Sequence, residues 1–372
     1  MLWMVAMVVQ LPSSSVAEYC TAYIAPRAPT NHWNLWDEGH IDDFFDRLIE
    51  DCVLLDGGNP DNVYLMGYSA GGNGAYQLAP RLAERFAAAS TTTGHPSNAS
   101  PLGLRNLPFA IFAGAEDAAY QRNTMTAEWG GKLDALARQN PGAYPHRLNV
   151  YPGLGHWMNG KDAEAVPWMA KFTRNPWPRK IVWYQSDRLH DRFYRLALPE
   201  GVAKPGLTIH TSVEHNVITL DAPDVTCVIL RLHDRLEDLD QPLKVLLNGK
   251  TVFEGKVPRQ ADAILKSLQQ RADPHSAATA LLEVRAKGSE TAVSADHATL
   301  QHFRMARREH CRTKTKIRVH GPSGDNPADA VVVDFGRCLW PGNPFPGPHS
   351  LRIAPVSLTQ HGPIARKYPD IP

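Results

Sequence analysis

Apolar residues recur in two rhythms along the first half of the chain. From His40 to Leu55 they keep the helical one. Ile41, Phe44, Phe45, Leu48, Ile49 and Cys52 fall on one face, while Asp42, Asp43, Asp46 and Glu50 lie mostly on the other. Gly57-Gly58-Asn59-Pro60 then stops the helix and turns the chain. Elsewhere the runs have the length of strands. Residues 20 to 26, CTAYIAP, read as a short strand ended by Pro26, and residues 27 to 39 as a loop with Pro29, Trp33 and Trp36. Val63 to Met66 is a continuous apolar run, followed after a Gly-rich turn by a helix placed at Ala75 to Ala89. Phe86 to Thr93 overlaps that helix and reads as a further strand ending at Gly94-His95-Pro96. Phe109 to Ala113 and Arg147 to Tyr151 are two more strands. Met125, Trp129, Leu133 and Leu136 mark a helix between them, and a last helix runs from about Asp162 to Phe172. Strands alternating with helices predict a doubly wound, mostly parallel sheet covered on both faces.

The pattern changes at Asn175-Pro176-Trp177-Pro178. Short alternating runs follow: Ile181 to Tyr184, Arg192 to Leu198, Thr208 to Val213, Asn216 to Leu220 and Val225 to Leu232. Leu246 to Val252 centres on Asn248-Gly249, a pair suited to a type I′ hairpin turn. These runs predict a small antiparallel β domain, with one helix near Ala261 to Arg271. Residues 1–175, 181–300 and 301–372 therefore read as an α/β unit, a β-rich unit and a Pro/Gly-rich tail. In that tail only Val331 to Phe335 is strand-like, and its composition fits a disordered or loosely packed segment.

Composition narrows the class. The chain has 372 residues, 43% hydrophobic and 21% charged, with a formal net charge of +1. That balance provides no global field to draw nucleic acid or a membrane surface. Arg304 to Arg318 is basic, but it is short and poor in aromatics, which favours a solvated segment. Cys20, Cys52, Cys227, Cys311 and Cys338 are odd in number and lack C-x-x-C spacing, arguing against a disulfide framework or a zinc site. No apolar run approaches the about 18 residues needed to span a bilayer. Leu2 to Val9 is apolar, and Ser15-Val16-Ala17 has the small residues of a signal-peptidase site. No Lys or Arg precedes the run, so a buried strand is favoured over a leader, and the cytoplasm over export.

The candidate chemistry sits between Val63 and Gly72. Gly67-Tyr68-Ser69-Ala70-Gly71 has the G-x-S-x-G pattern of a nucleophile elbow, where a strained strand-to-helix turn exposes a serine hydroxyl. A serine needs a base within hydrogen-bond reach, and the base needs an acid to orient it. His156, in a turn flanked by Gly153 and Gly155, is the leading base; His95 competes and is taken as pocket lining. Asp117 is the leading acid. Glu116 is its alternative, and a helix N-cap is the competing role for the Asp117 carboxylate. All three candidates follow predicted strands, where parallel sheets place active groups.

Residues about 20 to 175 resemble the α/β-hydrolase superfamily, and in particular bacterial serine esterases of the polyhydroxybutyrate-depolymerase, feruloyl-esterase and phospholipase/carboxylesterase types. The resemblance rests on Gly67-Tyr-Ser-Ala-Gly-Gly72, Gly114-Ala-Glu-Asp117 and Tyr151-Pro-Gly-Leu-Gly-His156, with Tyr23 to Pro29 and Trp33 in support. It implies Ser69 as nucleophile, Asp117 as acid, His156 as base and the Ala70 N–H as one oxyanion donor. A second donor usually comes from a loop marked His-Gly or Gly-Gly after an earlier strand. No such motif precedes residue 20, so either the α/β unit is N-terminally short or another loop supplies the second donor. Trp33, Trp36, Tyr68, His95 and Trp157 are candidates for lining a substrate pocket, with core packing as the alternative. No metal or organic cofactor is implied, and the expected partner is a small-molecule or polymeric ester. Two other readings stay open: a peptidase of the prolyl-oligopeptidase type, and a catalytically weak relative that binds a glycan, polymer or protein.

Overall fold

The computed structural model describes residues 5–11, 20–26, 32, 35–286, 317–320, 331–335 and 349–355. Two strands open the chain, β1 (Val5–Leu11) and β2 (Cys20–Ile24), and α1 (His40–Asp56) follows them. Then come β3 (Val63–Tyr68), α2 (Ala70–Arg81), β4 (Ala88–Thr92), β5 (Phe109–Gly114), α3 (Arg122–Gln139), β6 (His146–Tyr151) and α4 (Ala165–Met169). Strands β3 to β6 lie side by side in that order, and every pair among them is parallel. Their carboxyl ends therefore share one edge of the sheet. Ser69, Thr93 to His95, Asp117 and His156 all follow those ends.

One expected helix is misplaced. Helix α2 begins at Ala70, directly after the turn, and ends at Arg81, so neither Ala75 nor Ala89 bounds it. Ala88 and Ala89, where the expected helix and the expected strand overlapped, are fully buried in the central strand β4. Small side chains there let α2 lie close, and tertiary packing overrides their helix propensity. The last helix is also shorter than expected, with a 3₁₀ turn at Lys161–Glu164 before α4.

Beyond Pro178 the chain forms two sheets. The first contains β7 (Lys180–Tyr184), β10 (Thr208–Glu214), β11 (Val217–Asp221), β13 (Leu243–Leu247) and β14 (Lys250–Gly255). The second contains β8 (Arg192–Phe193), β9 (Leu196–Ala197), β12 (Cys227–Leu232) and β15 (Ala280–Arg285), with α5 (Ala261–Arg271) preceding β15. The expectation of a wholly antiparallel region is corrected at one pair, because β11 and β13 run parallel. β15 was not expected. It pairs along β12 with alternate residues buried. The stretch from Arg192 to Leu198 is two very short strands, reversed at Tyr194 with φ 51°.

Three strands of the tail, β16 (Ile317–His320), β17 (Val331–Phe335) and β18 (His349–Pro355), extend the nine-stranded sheet, with β18 antiparallel to β2. Only β17 was expected. One buried apolar cluster runs from Met7 and Phe45 through Tyr76 and Phe109 to Trp183, Leu230 and Val284, so the sheets share a contiguous core. No helix among the described residues is long and apolar enough to cross a membrane.

Candidate active site

Ser69 sits at the tip of the turn with φ 57° and ψ −118°, a conformation that a non-glycine residue rarely adopts. Bonds on both sides hold it. Its N–H donates to the Thr92 carbonyl at 2.9 Å, and its own carbonyl accepts the Asn73 N–H at 3.0 Å. The flanking glycines are required by contact. A Cβ at Gly67 would stand 2.0 Å from the Gly71 carbonyl oxygen, and one at Gly72 would stand 2.8 Å from the Gly94 Cα. Helix α2 can start directly after Ser69 only because those positions lack side chains. Ala70 opens that helix, where the first amides have no intrahelical partner and the dipole favours negative charge.

The loop after β5 and the loop after β6 are joined by backbone bonds. Ala115 N–H donates to Tyr151 O at 2.9 Å and Glu116 N–H to Leu154 O at 2.9 Å. A Cβ at Gly114 would stand 2.1 Å from the Leu154 carbonyl oxygen and 2.2 Å from that of Gly155. This close approach brings Asp117 under His156. The Asp117 Oδ2 lies 2.8 Å from His156 Nδ1, and His156 Nε2 lies 2.7 Å from Ser69 Oγ. A carboxylate only accepts, so Nδ1–H donates to it and Nε2 is left to accept from the serine hydroxyl. Asp117 is buried, whereas the His156 side chain keeps 28% exposure on the outer side. The carboxylate does not cap the next helix, since α3 starts at Arg122 without a side-chain cap. Glu116, the alternative acid, is exposed.

Other expected site residues separate. Trp36 belongs to the buried core, packing at 6.2 Å from the Phe45 ring, which is the packing alternative to a pocket-lining role. Trp33 lies outside the described residues, as do residues 1–4 and 12–19 of the stretch before residue 20 in which a second oxyanion donor was sought. Tyr68 holds the histidine loop, because its hydroxyl donates to the His156 carbonyl at 2.8 Å and accepts the Met158 N–H at 3.2 Å. Trp157 is 65% exposed, with its ring 6.0 Å from that of Tyr68. His95 has its Nδ1 occupied by the Ser97 N–H at 2.9 Å. Burial, then the Arg122 charge, lower its pKa below the usual imidazole value. No group of metal-holding side chains occurs among the described residues.

Two contributors carried no motif. Arg122 Nη1 lies 3.4 Å from Asp117 Oδ1, giving the acid a second, charged partner. The Asn73 Oδ1 accepts the His95 N–H at 2.6 Å and so fixes the loop after β4. Nothing in the spacing of Arg122, five residues after the acid and outside its own loop, distinguishes it from an ordinary first-turn residue of α3.

Several similar solved structures are named as esterases. A thermostable esterase is 19% identical, with a TM-score of 0.30, over 37% of this chain and 38% of that one. A carboxylesterase from Mesorhizobium loti is 20% identical, with a TM-score of 0.27, over 35% of this chain and 59% of that one. The Bacillus cereus carboxylesterase is 17% identical, with a TM-score of 0.29, over 35% and 59%. This chain thus spans less than two thirds of the length of each. No protein-family model matches the sequence, and no curated protein matches it.

Proposed function

We propose that the chain is a serine hydrolase that cleaves carboxylic esters through an acyl-enzyme, and that it is an α/β-hydrolase. The supporting observation is the unbroken file from the Ser69 hydroxyl through the His156 ring to the buried Asp117 carboxylate, at 2.7 and 2.8 Å. Ser69 Oγ attacks the acyl carbon while its proton passes to His156 Nε2. The Asp117 carboxylate stabilises the imidazolium that forms and keeps the ring in the useful tautomer. The Ala70 N–H faces the negative charge that develops on the carbonyl oxygen, a contact of a kind worth about 2.7–4 kcal/mol in the transition state. Collapse expels the alcohol, which takes the proton from Nε2. Water then repeats the sequence against the acyl group and releases the acid.

Small or polymeric esters fit this scheme, and exposed Trp157 beside the base is the apolar surface such an acyl or aromatic group would first meet. The sequence marks no acidic anchor of the kind a peptide amino terminus needs, which ranks amide substrates lower. The test is turnover of p-nitrophenyl butyrate by the wild type and by Ser69→Ala. A loss of about 10⁶-fold in kcat is expected for removal of a triad nucleophile. Equal rates in the two proteins would sink the assignment.

A further inference from the structure

Arg122 opens α3, and its place there is costly in three ways. A cation at a helix N-terminus meets the positive end of the dipole. The two residues before it, Tyr120 and Gln121, both take the left-handed backbone, with φ 54° and 56°, which residues with side chains rarely adopt. The Arg122 Nε is buried without a hydrogen-bond partner. The buried face of α3 lies further along, at Thr126, Trp129, Gly130 and Leu133, so helix packing does not account for these costs.

The costs converge on one contact. The turn through Tyr120 and Gln121 presents the Ala119 carbonyl to Arg122 Nη1 at 3.3 Å, and the same Nη1 lies 3.4 Å from Asp117 Oδ1. The turn also lays the Tyr120 ring over the guanidinium, with Cζ 4.8 Å from the ring centre. That ring is 76% exposed, so it covers the cation and belongs to no core. Beneath it the Arg122 side chain keeps 12% exposure and the Asp117 side chain 1%.

The two oxygens of Asp117 have separate partners. Oδ2 accepts Nδ1–H of His156 at 2.8 Å, and Oδ1 faces Arg122. A histidine serves as a base only while its ring is neutral. Before the reaction, Arg122 is therefore the cation paired with this buried carboxylate among the described residues. A buried carboxylate stripped of such a partner is strongly disfavoured. The terminal torsion of an aspartate is also broad, and an anchor on Oδ1 restricts the rotation that would carry Oδ2 away from the imidazole.

We propose that Arg122 is a positioning residue for the reaction: gripped by the Ala119 carbonyl and the Tyr120 ring, it holds the Asp117 carboxylate with Oδ2 on His156. It acts through Asp117 and His156 rather than on the ester, and the proposal rests on the ester-cleaving reading of that site.

The experiment is a double-mutant cycle on the full chain. The rate of fluorophosphonate labelling at Ser69 is measured for the wild type, Arg122→Met, Asp117→Asn and the double variant. Arg122→Met keeps a long unbranched chain and removes the guanidinium. It slows labelling, and lowers kcat for p-nitrophenyl butyrate with KM unchanged, by about tenfold, the order of one hydrogen bond between charged groups. In the Asp117→Asn chain the same substitution changes labelling by less than about twofold, because the carboxylate it held is gone. A general loss of structure would instead recur in both backgrounds. Tyr120→Ala, at an exposed position, takes over as the deciding variant where Arg122→Met does not fold. Its expected loss is about threefold, the order of an exposed cation–π contact, and is again absent in the Asp117→Asn chain. A wild-type rate in the deciding variant, or a loss as large in the Asp117→Asn chain, would overturn the proposal and leave the ester-cleaving reading in place. A wild type that neither labels nor turns over would overturn that reading, and this proposal with it.

Discussion

At the Ser69 site one hydroxyl, one imidazole and one carboxylate stand in single file, and Arg122 closes the far end on Asp117. At an arginine junction where α1, α2 and α5 meet β8 and β12, five buried cations, Arg85, Arg174, Arg192, Arg231 and Arg271, meet four ion-paired carboxylates, Asp46, Asp61, Glu84 and Asp273. Both regions bury charge. In the first, every polar atom of the relay has a partner, so removing one group changes chemistry more than folding. In the second, the charges are shared among several partners, so removing one group leaves a cation uncompensated. The first set of contacts is arranged in series and the second as a net. The two respond to mutation in opposite ways.

Asp117→Asn tests the serial arrangement and carries the largest expected effect. An amide can hold the His156 ring in the wrong tautomer, and kcat for p-nitrophenyl butyrate is expected to fall about 10⁴-fold. Urea unfolding of the same variant should move little. If kcat stayed within tenfold of wild type, the buried acid would have no orienting role.

Asp273→Ala tests the net. It strips a carboxylate from Arg174 and from Arg85, both nearly fully buried. Breaking a buried pair in this way costs about 3–5 kcal/mol, read as a shifted urea midpoint with kcat unchanged. A loss below about 1 kcal/mol, in the range of a surface pair, would mean that the junction charges are compensated elsewhere.

The smallest expected effect is one of pH. Glu237 is buried near Arg195 without an ion pair to it, and burial pushes its carboxyl up from 4.5 to about 7. The folded chain therefore binds this proton more tightly than the unfolded chain does. Stability from this group is fully present below pH about 4.5 and is lost as pH rises to about 7, with a total of about 3 kcal/mol. Glu237→Gln removes that decline, as unfolding free energies measured between pH 4.5 and 7.5 would show. An unchanged slope in the variant would place the titration elsewhere.

The same contrast explains what the sequence disclosed. The proximity of Ser69, Asp117 and His156 was legible because each follows a predicted strand and the three occur in a telling order. Their spacing is imposed by parallel strands β3, β5 and β6, which the apolar runs reveal. Arg122 and Tyr68 were not assigned their contacts, because a hydrogen bond to a loop carbonyl or a buried acid leaves no period in the sequence. The junction was misread in a more instructive way. Asp42 and Asp46 were taken as part of the polar outer face of α1. In the fold Asp42 lies 2.6 Å from Arg81 and 2.8 Å from His190, and Asp46 faces Arg85 and Arg271. Helical periodicity marks which residues are polar, not whether a distant arginine covers them. Trp36 failed in the opposite sense, since an aromatic in a Pro-rich loop carries no sign of whether it points to a pocket or, as here, to Phe45. The alanines of β4 misled because a strand buried on both faces accepts small residues that otherwise suggest helix.

The central claim is that the His156–Asp117 pair makes Ser69 a nucleophile. A fluorophosphonate probe tests this directly, because it forms a covalent bond only with an activated serine. Intact-mass and peptide mass spectrometry should find one adduct per chain, located on Ser69, and no adduct on the Ser69→Ala protein. An unlabelled wild-type chain, or an adduct on any other serine, would contradict the account.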